Sequence, residues 1–307
     1  MTVDIGCSVD ALIEAYTQHS RKVRGLRDRT LQQQAAFARR FVHAVQAHGR
    51  VDPQHLRPCD VMTFVASLKK RFSPRSMRTV CSALRSFFRF LRVDGRCDER
   101  LEAAIPAVAY WRQSTVPRSL SDDQLVQVLA SFDMSTRHGY RDRAIVMCLA
   151  TLGLRPGEVA SLRLEDVDWR AGIIQLHTRK TRRGAVLPLP REAGRALAAY
   201  LRQARPKTDA RCVFVQHVGS RRGRPISSTA VSEVVVRALR RAKVDAPLSR
   251  AYVFRHTVTR RLVQHGANLK EIADFLGHRC LDTTTVYAKL DLPALRSVAL
   301  PWPEVAL

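Results

Sequence analysis

The chain lacks any apolar run near the roughly 18 residues that a membrane span needs. Its first residues lack the basic-then-apolar order of a secretory signal. No internal repeat and no low-complexity tract is present, which sets aside solenoids and disordered tails. The seven cysteines are Cys7, Cys59, Cys81, Cys97, Cys148, Cys212 and Cys280. They are odd in number and form no C-x-x-C pair, so neither a disulfide framework nor a zinc site is indicated. His278 and Cys280 lie close together, but two ligand types without further pairs do not make a metal centre. Negative charge is short relative to positive: 27 Asp and Glu stand against 52 Lys and Arg, a formal net charge of +25. An excess of that size needs a polyanionic partner or a reason to tolerate self-repulsion, as in a merely arginine-rich protein. Nucleic acid is the first candidate, because neutralising phosphates releases condensed counterions. An anionic membrane surface is the second.

What is present suffices for a sizeable core. The 307 residues suggest two domains, and 46% of them are hydrophobic. The first third reads as helices. Ser8 precedes the apolar pattern Leu12, Ile13, Tyr16, and a second helix carries Phe37, Phe41, Val42 and Val45 on one face. Asp60 is placed to cap a short helix with Val61, Phe64, Val65 and Leu68. Ser73-Pro74 opens a longer helix with proline at its first position. Its apolar face holds Met77, Val80, Leu84, Phe87, Phe88 and Leu91. Its other face shows Arg75, Arg78, Arg85, Arg89 and Arg92, a stripe that suits either phosphates or plain solvent. Two prolines and no sustained period mark a linker over 106–117. SDDQ at 121–124 is a capping box, and a long apolar helix over about 141–152 ends at Gly153. GIIQLHT and AVLPLP read as a β-hairpin around the basic turn RKTRRG. Helices return at about 191–204, 228–242, 253–265 and 269–276, with Gly266 and Gly277 as stops for the last two. The fold class is mainly α with a small antiparallel β-sheet.

Three islands in the second domain carry chemistry. In TLGLRPGEV, 151–159, Arg155 follows a helix break and Glu158 lies one turn on, able to hold the guanidinium. Such a fixed planar fork suits a phosphate's oxygens, although an ordinary ion pair at a helix break has the same pattern. In RKTRRGAVLPL, 179–189, Lys180 opens a hairpin turn beside Arg179, Arg182 and Arg183, which makes it either a solvated basic loop or a reach into a groove. In the third, 252–290, Arg255 and His256 open a helix, Leu276-Gly277-His278 follows a second one, and Tyr287 comes last. A phenol with a pKa near 10 is a poor nucleophile unless cations stabilise its phenolate.

The order Arg155, Lys180, Arg255, His278, Tyr287 resembles the tyrosine recombinases, or phage-integrase family, which includes the Xer recombinases. The phrases that carry the resemblance are TLGLRPGEVASL, K-x7-P-L from Lys180 to Leu189, FRHT, LGH and TTTVYAKL. The resemblance implies a helical core-binding domain over 1–105, the linker 106–117 and a catalytic domain over 118–290; the tail, 291–307, with Leu292, Leu295, Val298, Leu300 and Trp302, is left either to dock on a neighbouring subunit or to pack on its own domain. It implies a C-shaped two-domain clamp on double-stranded DNA with inverted-repeat sites, and a homo-tetramer there, alone or with other recombinases. Neither metal, nucleotide cofactor nor membrane is implied, and a cytoplasmic, nucleoid-associated location follows. By the resemblance Tyr287 is the nucleophile and forms a 3′-phosphotyrosyl link. Arg155, Arg255 and His278 stabilise the phosphate, Lys180 is the general acid, and Glu158 orients Arg155. Arg75, Arg78, Arg85, Arg89, Arg179, Arg182 and Arg183 are the expected DNA contacts. One position departs from the pattern: Tyr252 stands where the family usually has a histidine, three residues before Arg255. A hydroxyl there donates a hydrogen bond but supplies no charge, which leaves a catalytically weakened accessory recombinase as the alternative. The tail LPALRSVALPWPEV resembles those of transposon-associated integrases.

Overall fold

The structure, a computed structural model, describes residues 7–26, 28–45, 50–109, 119–177, 184–245, 251–277 and 284–285. The chain divides into two compact units, Met1–Arg112 and Gln113–Leu307.

In the first unit a two-residue strand, β1 (Cys7–Ser8), pairs antiparallel with β2 (Arg50–Val51). Between them run α1 (Val9–Arg24) and α2 (Asp28–Val45), and α3 (Pro58–Leu68), α4 (Pro74–Val93) and the short α5 (Arg100–Ala103) follow. Local chemistry sets the starts. Ser8 Oγ accepts from the Ala11 N–H at 3.2 Å, and Ser73 Oγ from the Ser76 N–H at 3.3 Å, each satisfying a donor that the first helical turn leaves open. Asp60 is a correction. The expected cap lies inside the first turn of α3, where its carboxylate accepts from the Arg57 N–H at 2.9 Å. Proline at the first position had already fixed the helix start two residues earlier.

The long helix α4 is the spine of this unit. All six of its expected core residues are buried, from Met77 at 5% exposure to Leu91 at 0%. Each such side chain contributes about 1.5–3 kcal/mol relative to exposure. Phe41 stands edge-on to Phe88 at 5.1 Å and to Phe64 at 5.4 Å, which ties α2 and α3 to the spine. Tyr16 enters the same core with its polar end satisfied, its hydroxyl 2.8 Å from Ser86 Oγ and 3.0 Å from Gln34 Oε1.

In the second unit α6 (Asp122–Ala130) and α7 (Arg137–Leu152) lead to the short α8 (Pro156–Ser161). The capping box at α6 forms in both directions, Gln124 N–H to Ser121 Oγ at 3.1 Å and Ser121 N–H to Gln124 Oε1 at 2.9 Å. The expected hairpin is part of a three-stranded antiparallel sheet in the order β3 (Val167–Asp168), β4 (Ile173–Leu176), β5 (Ala185–Pro188). Ile174, Leu176 and Leu187 face the core, while Gln175 and its partner Val186 face out. Then come α9 (Arg191–Ala199), whose last turn widens into a π-turn over Tyr200–Ala204, α10 (Ser228–Arg241), α11 (Tyr252–Gln264) and α12 (Leu269–Leu276). Helix α7 runs through the middle of this unit, with Ala144 through Ala150 all buried. Such a helix is apolar on every side because every side meets a neighbour. Its end therefore has a fixed place, and the candidate site is built there.

Candidate active site

Three helix ends meet at this point. Helix α7 stops at Gly153, which takes the left-handed conformation at φ 59°. A side chain is disfavoured here mainly by the conformation, which favours glycine; a Cβ would also lie close to Leu276, at 3.3 Å, and in ordinary contact with Val258, at 3.5 Å. Those two neighbours belong to α12 and α11. Helix α12 stops at Gly277, also left-handed, with φ 61°.

Arg155 is the residue before α8, and Glu158 is in that helix's first turn. The Glu158 carboxylate takes both groups that Arg155 offers. Oε2 accepts from the backbone N–H at 2.8 Å and Oε1 from the guanidinium Nη1, also at 2.8 Å. Arg155 retains 17% side-chain exposure and Glu158 only 5%. The carboxylate is thus consumed by the chain, while the Arg155 side chain stays partly open to solvent. Nη2 of Arg155 also donates to the Gly277 carbonyl at 3.4 Å.

Arg255, in the first turn of α11, is 4% exposed. Its Nη1 donates to the Gly153 carbonyl at 2.7 Å and its Nη2 to the Leu276 carbonyl at 2.5 Å. Both acceptors close C-terminal helix ends, where unpaired carbonyls and the helix dipole concentrate negative potential. A buried cation is costly without compensation, and two helix ends supply it here. The two arginines therefore hang on consecutive carbonyls, Leu276 and Gly277. The next residue in the chain is His278. Beside Arg255, the pKa of His256 is lowered from the ordinary histidine value by burial and then by the Arg255 charge.

Tyr252 begins α11 and is 50% exposed. Its hydroxyl has no hydrogen-bond partner among the described residues. Thr284, three residues before Tyr287, is fully buried. Lys180, His278 and Tyr287 lie outside the described residues, as do Arg179, Arg182, Arg183 and the tail 291–307. The structure thus brings together Arg155, Glu158 and Arg255 of the expected set, with Tyr252 on the same helix as Arg255.

The arginine stripe on α4 divides. Arg75 and Arg78 are exposed. Arg85 is half-buried and spends its Nη2 on the carbonyls of Ile105 and Pro106, at 3.1 and 3.0 Å. Arg89 pairs with Glu102 at 2.5 Å. These two side chains tie α5 and the segment after it back to the spine, a role that amphipathic spacing does not distinguish from phosphate binding. Sequence reasoning also missed the carbonyls of Gly153, Leu276 and Gly277. Only the glycines signalled them, as helix stops.

What the arrangement offers is a pair of rigid guanidinium groups at one spot, each oriented by the backbone or a buried carboxylate. That geometry can receive a tetrahedral oxyanion and stabilise charge that builds on it. The phage integrase family model matches residues 118–292, and that of the phage integrase N-terminal SAM-like domain matches 13–95. An integrase/recombinase of Sinorhizobium fredii is 38% identical over 299 residues, covering 97% of this chain and 72% of the relative. The tyrosine recombinase XerD of Listeria monocytogenes is 29% identical, covering 94% of this chain and 96% of the relative. Among solved structures, a XerH site-specific recombinase bound to palindromic difH substrate superposes with a TM-score of 0.71 at 18% identity, covering 95% of this chain and 84% of that one.

Proposed function

The chain belongs to the phage integrase family of tyrosine recombinases, and on that premise we propose that it exchanges DNA strands at specific sites, with its residues dividing the work as follows. The Tyr287 phenolate oxygen attacks the phosphorus of a DNA phosphodiester. A 3′-phosphotyrosyl bond forms and the bond to the 5′-oxygen breaks. Lys180 gives that departing oxygen its proton. Arg155 and Arg255 hold the non-bridging oxygens as charge grows on them, and His278 adds a hydrogen bond. Glu158 keeps the Arg155 fork in one orientation. Attack by a 5′-hydroxyl from a partner strand then reverses the chemistry and releases Tyr287. One ester replaces another, so the exchange is energetically near neutral and consumes no nucleotide. The substrate is duplex DNA carrying inverted repeats, engaged by a homo-tetramer, with Arg75, Arg78, Arg179, Arg182 and Arg183 on its phosphates.

The observation that carries this reading is the convergence of Arg155 and Arg255 on the carbonyls of Leu276 and Gly277. Residues 155, 255 and 276–277 come from three separate stretches of the sequence, and these bonds hold the described parts of them at one place. Tyr252 favours a second reading, an accessory protein that holds DNA and cuts weakly. Both readings meet one experiment. The DNA flanking the gene is sequenced for inverted repeats, and two duplexes bearing any repeats found are incubated with the protein in a chelator, without nucleotide. Recombinant product supports strand exchange. Product only after a divalent metal is added contradicts the proposed chemistry, and tight binding without product supports the accessory reading.

A further inference from the structure

Helix α11 carries Arg255 on one side and a buried threonine on another. Thr257 lies two residues on, about 200° around the helix at 100° per residue. It is 0% exposed. Its hydroxyl is used in both directions: Oγ1 donates to the Val253 carbonyl at 2.9 Å and accepts from the Leu120 N–H, also at 2.9 Å. Leu120 is itself fully buried and directly precedes Ser121, the cap of α6. Its N–H thus precedes the helical ladder, and a buried donor without a partner costs on the order of a hydrogen bond. Threonine is a mediocre choice for a helix interior, and its back-bond to the preceding turn strains a helix slightly. The acceptor for Leu120 is the compensating gain. A second link joins the same two elements, since Asp122 Oδ1 accepts from Arg260 at 3.1 Å and from Arg261 at 2.9 Å.

We infer that Thr257 is a positioning residue for strand cleavage: its hydroxyl locks α11 to the chain at Leu120 and so fixes the turn of the helix that keeps Arg255 on the carbonyls of Gly153 and Leu276. Arg255 anchors one side of the helix and Thr257 the other, so α11 cannot rotate without breaking one of them. Misplacing a catalytic group by an ångström costs up to about a hundredfold in rate, so a small rotation is enough to matter. The inference rests on the role proposed for Arg255.

The test compares Thr257→Val, which keeps the shape and removes the hydroxyl, with Thr257→Ser, which keeps the hydroxyl. Each full-length variant is assayed for covalent complex formation on a nicked duplex at saturating concentration, and separately for DNA affinity. Thr257→Val is expected to cleave roughly tenfold or more slowly with affinity within about twofold of the unchanged protein, and Thr257→Ser to recover most of the rate. If Thr257→Val does not fold, Thr257→Ala against Thr257→Ser isolates the hydroxyl in the same way. Equal cleavage rates with and without the hydroxyl overturn the inference. So does a parallel loss of affinity and rate, which marks a merely structural residue. The unchanged protein and Arg255→Ala serve as references. If the former cleaves and the latter does not, a negative result falls on Thr257 alone. If Arg255→Ala cleaves normally, the role of Arg255 fails first and the inference fails with it.

Discussion

The Gly153 carbonyl accepts a hydrogen bond from Arg255 Nη1 at 2.7 Å, across 102 residues of sequence. This one bond joins the end of the central helix α7 to the first turn of α11. It makes a helix stop part of the candidate catalytic apparatus, because the left-handed turn at residue 153 aims the carbonyl at the guanidinium.

Gly153→Val is therefore expected to damage cleavage more than binding. The new side chain meets Leu276 and Val258 and resists the φ of 59°. Cleavage on a nicked duplex is expected to fall about a hundredfold or more, with DNA affinity reduced far less. Gly153→Asn, which tolerates a left-handed backbone better, is expected to lie between the two. Single-turnover rates and filter-binding affinities measure the split.

Glu158→Gln removes the charge that holds Arg155 and leaves one good acceptor in place of two. Loss of a hydrogen bond to a charged group costs about 1.5–3 kcal/mol, or one to two decades in rate. The effect belongs in the cleavage step, because the carboxylate is buried and not available to DNA. A variant with normal cleavage makes Glu158 a stability residue only, and a denaturation midpoint shows whether stability has changed.

His217 makes stability depend on pH. It is 8% exposed, stacked on Tyr200 at 5.8 Å, and 5.1 Å from His138. Burial, then the charges of Arg141, His138, Arg137 and Arg222, push its pKa down from 6.5 to about 4. The unfolded chain takes up the proton near 6.5 and the folded one only near 4. The stability of the folded state is complete above about pH 6.5 and is lost as pH falls toward 4, by roughly 3 kcal/mol over the whole window. His217→Phe is expected to flatten that part of a denaturant-unfolding profile against pH. An unchanged slope assigns it to other groups.

Tyr252 is half-exposed on the first turn of α11, one turn before Arg255. A neutral hydrogen bond from its hydroxyl to a phosphate oxygen is worth about 1–3 kcal/mol in a desolvated site, or one to two decades in rate. Tyr252→Phe is expected to slow cleavage by that amount without abolishing it. Tyr252→His is expected to retain activity and to acquire a pH dependence near the imidazole pKa. Equal rates for the unchanged protein and Tyr252→Phe remove the proposed bond. Cleavage that emerges only in Tyr252→His supports the accessory reading.

Local features were the legible ones. Ser8, Ser73 and Ser121 announce helix starts because the hydrogen bonds that make them caps span three residues. The buried face of α4 follows from its spacing. Asp60 shows the limit of the same logic, since a carboxylate at the cap and one inside the first turn look alike in sequence. Strand β3 has two residues, too few for an alternating pattern. Arg85 and Arg89 sat on the expected polar face, but their partners are Ile105, Pro106 and Glu102, across a turn that spacing does not describe. In the candidate site, Arg155 and Glu158 were legible as a pair three residues apart. The bonds from Arg255 to Gly153 and from Leu120 to Thr257 were not, because backbone acceptors and donors leave no mark on residue identity and their partners lie over a hundred positions away.

The central claim is that Tyr287 stores the broken DNA bond as an ester. A nicked duplex whose short top-strand fragment diffuses away on cleavage traps that ester, and digestion followed by mass spectrometry locates the attached nucleotide. The account predicts a 3′-phosphonucleotide on Tyr287, absent from Tyr287→Phe while that variant still binds the duplex. A nucleotide attached at another residue, or an adduct that survives Tyr287→Phe, contradicts it.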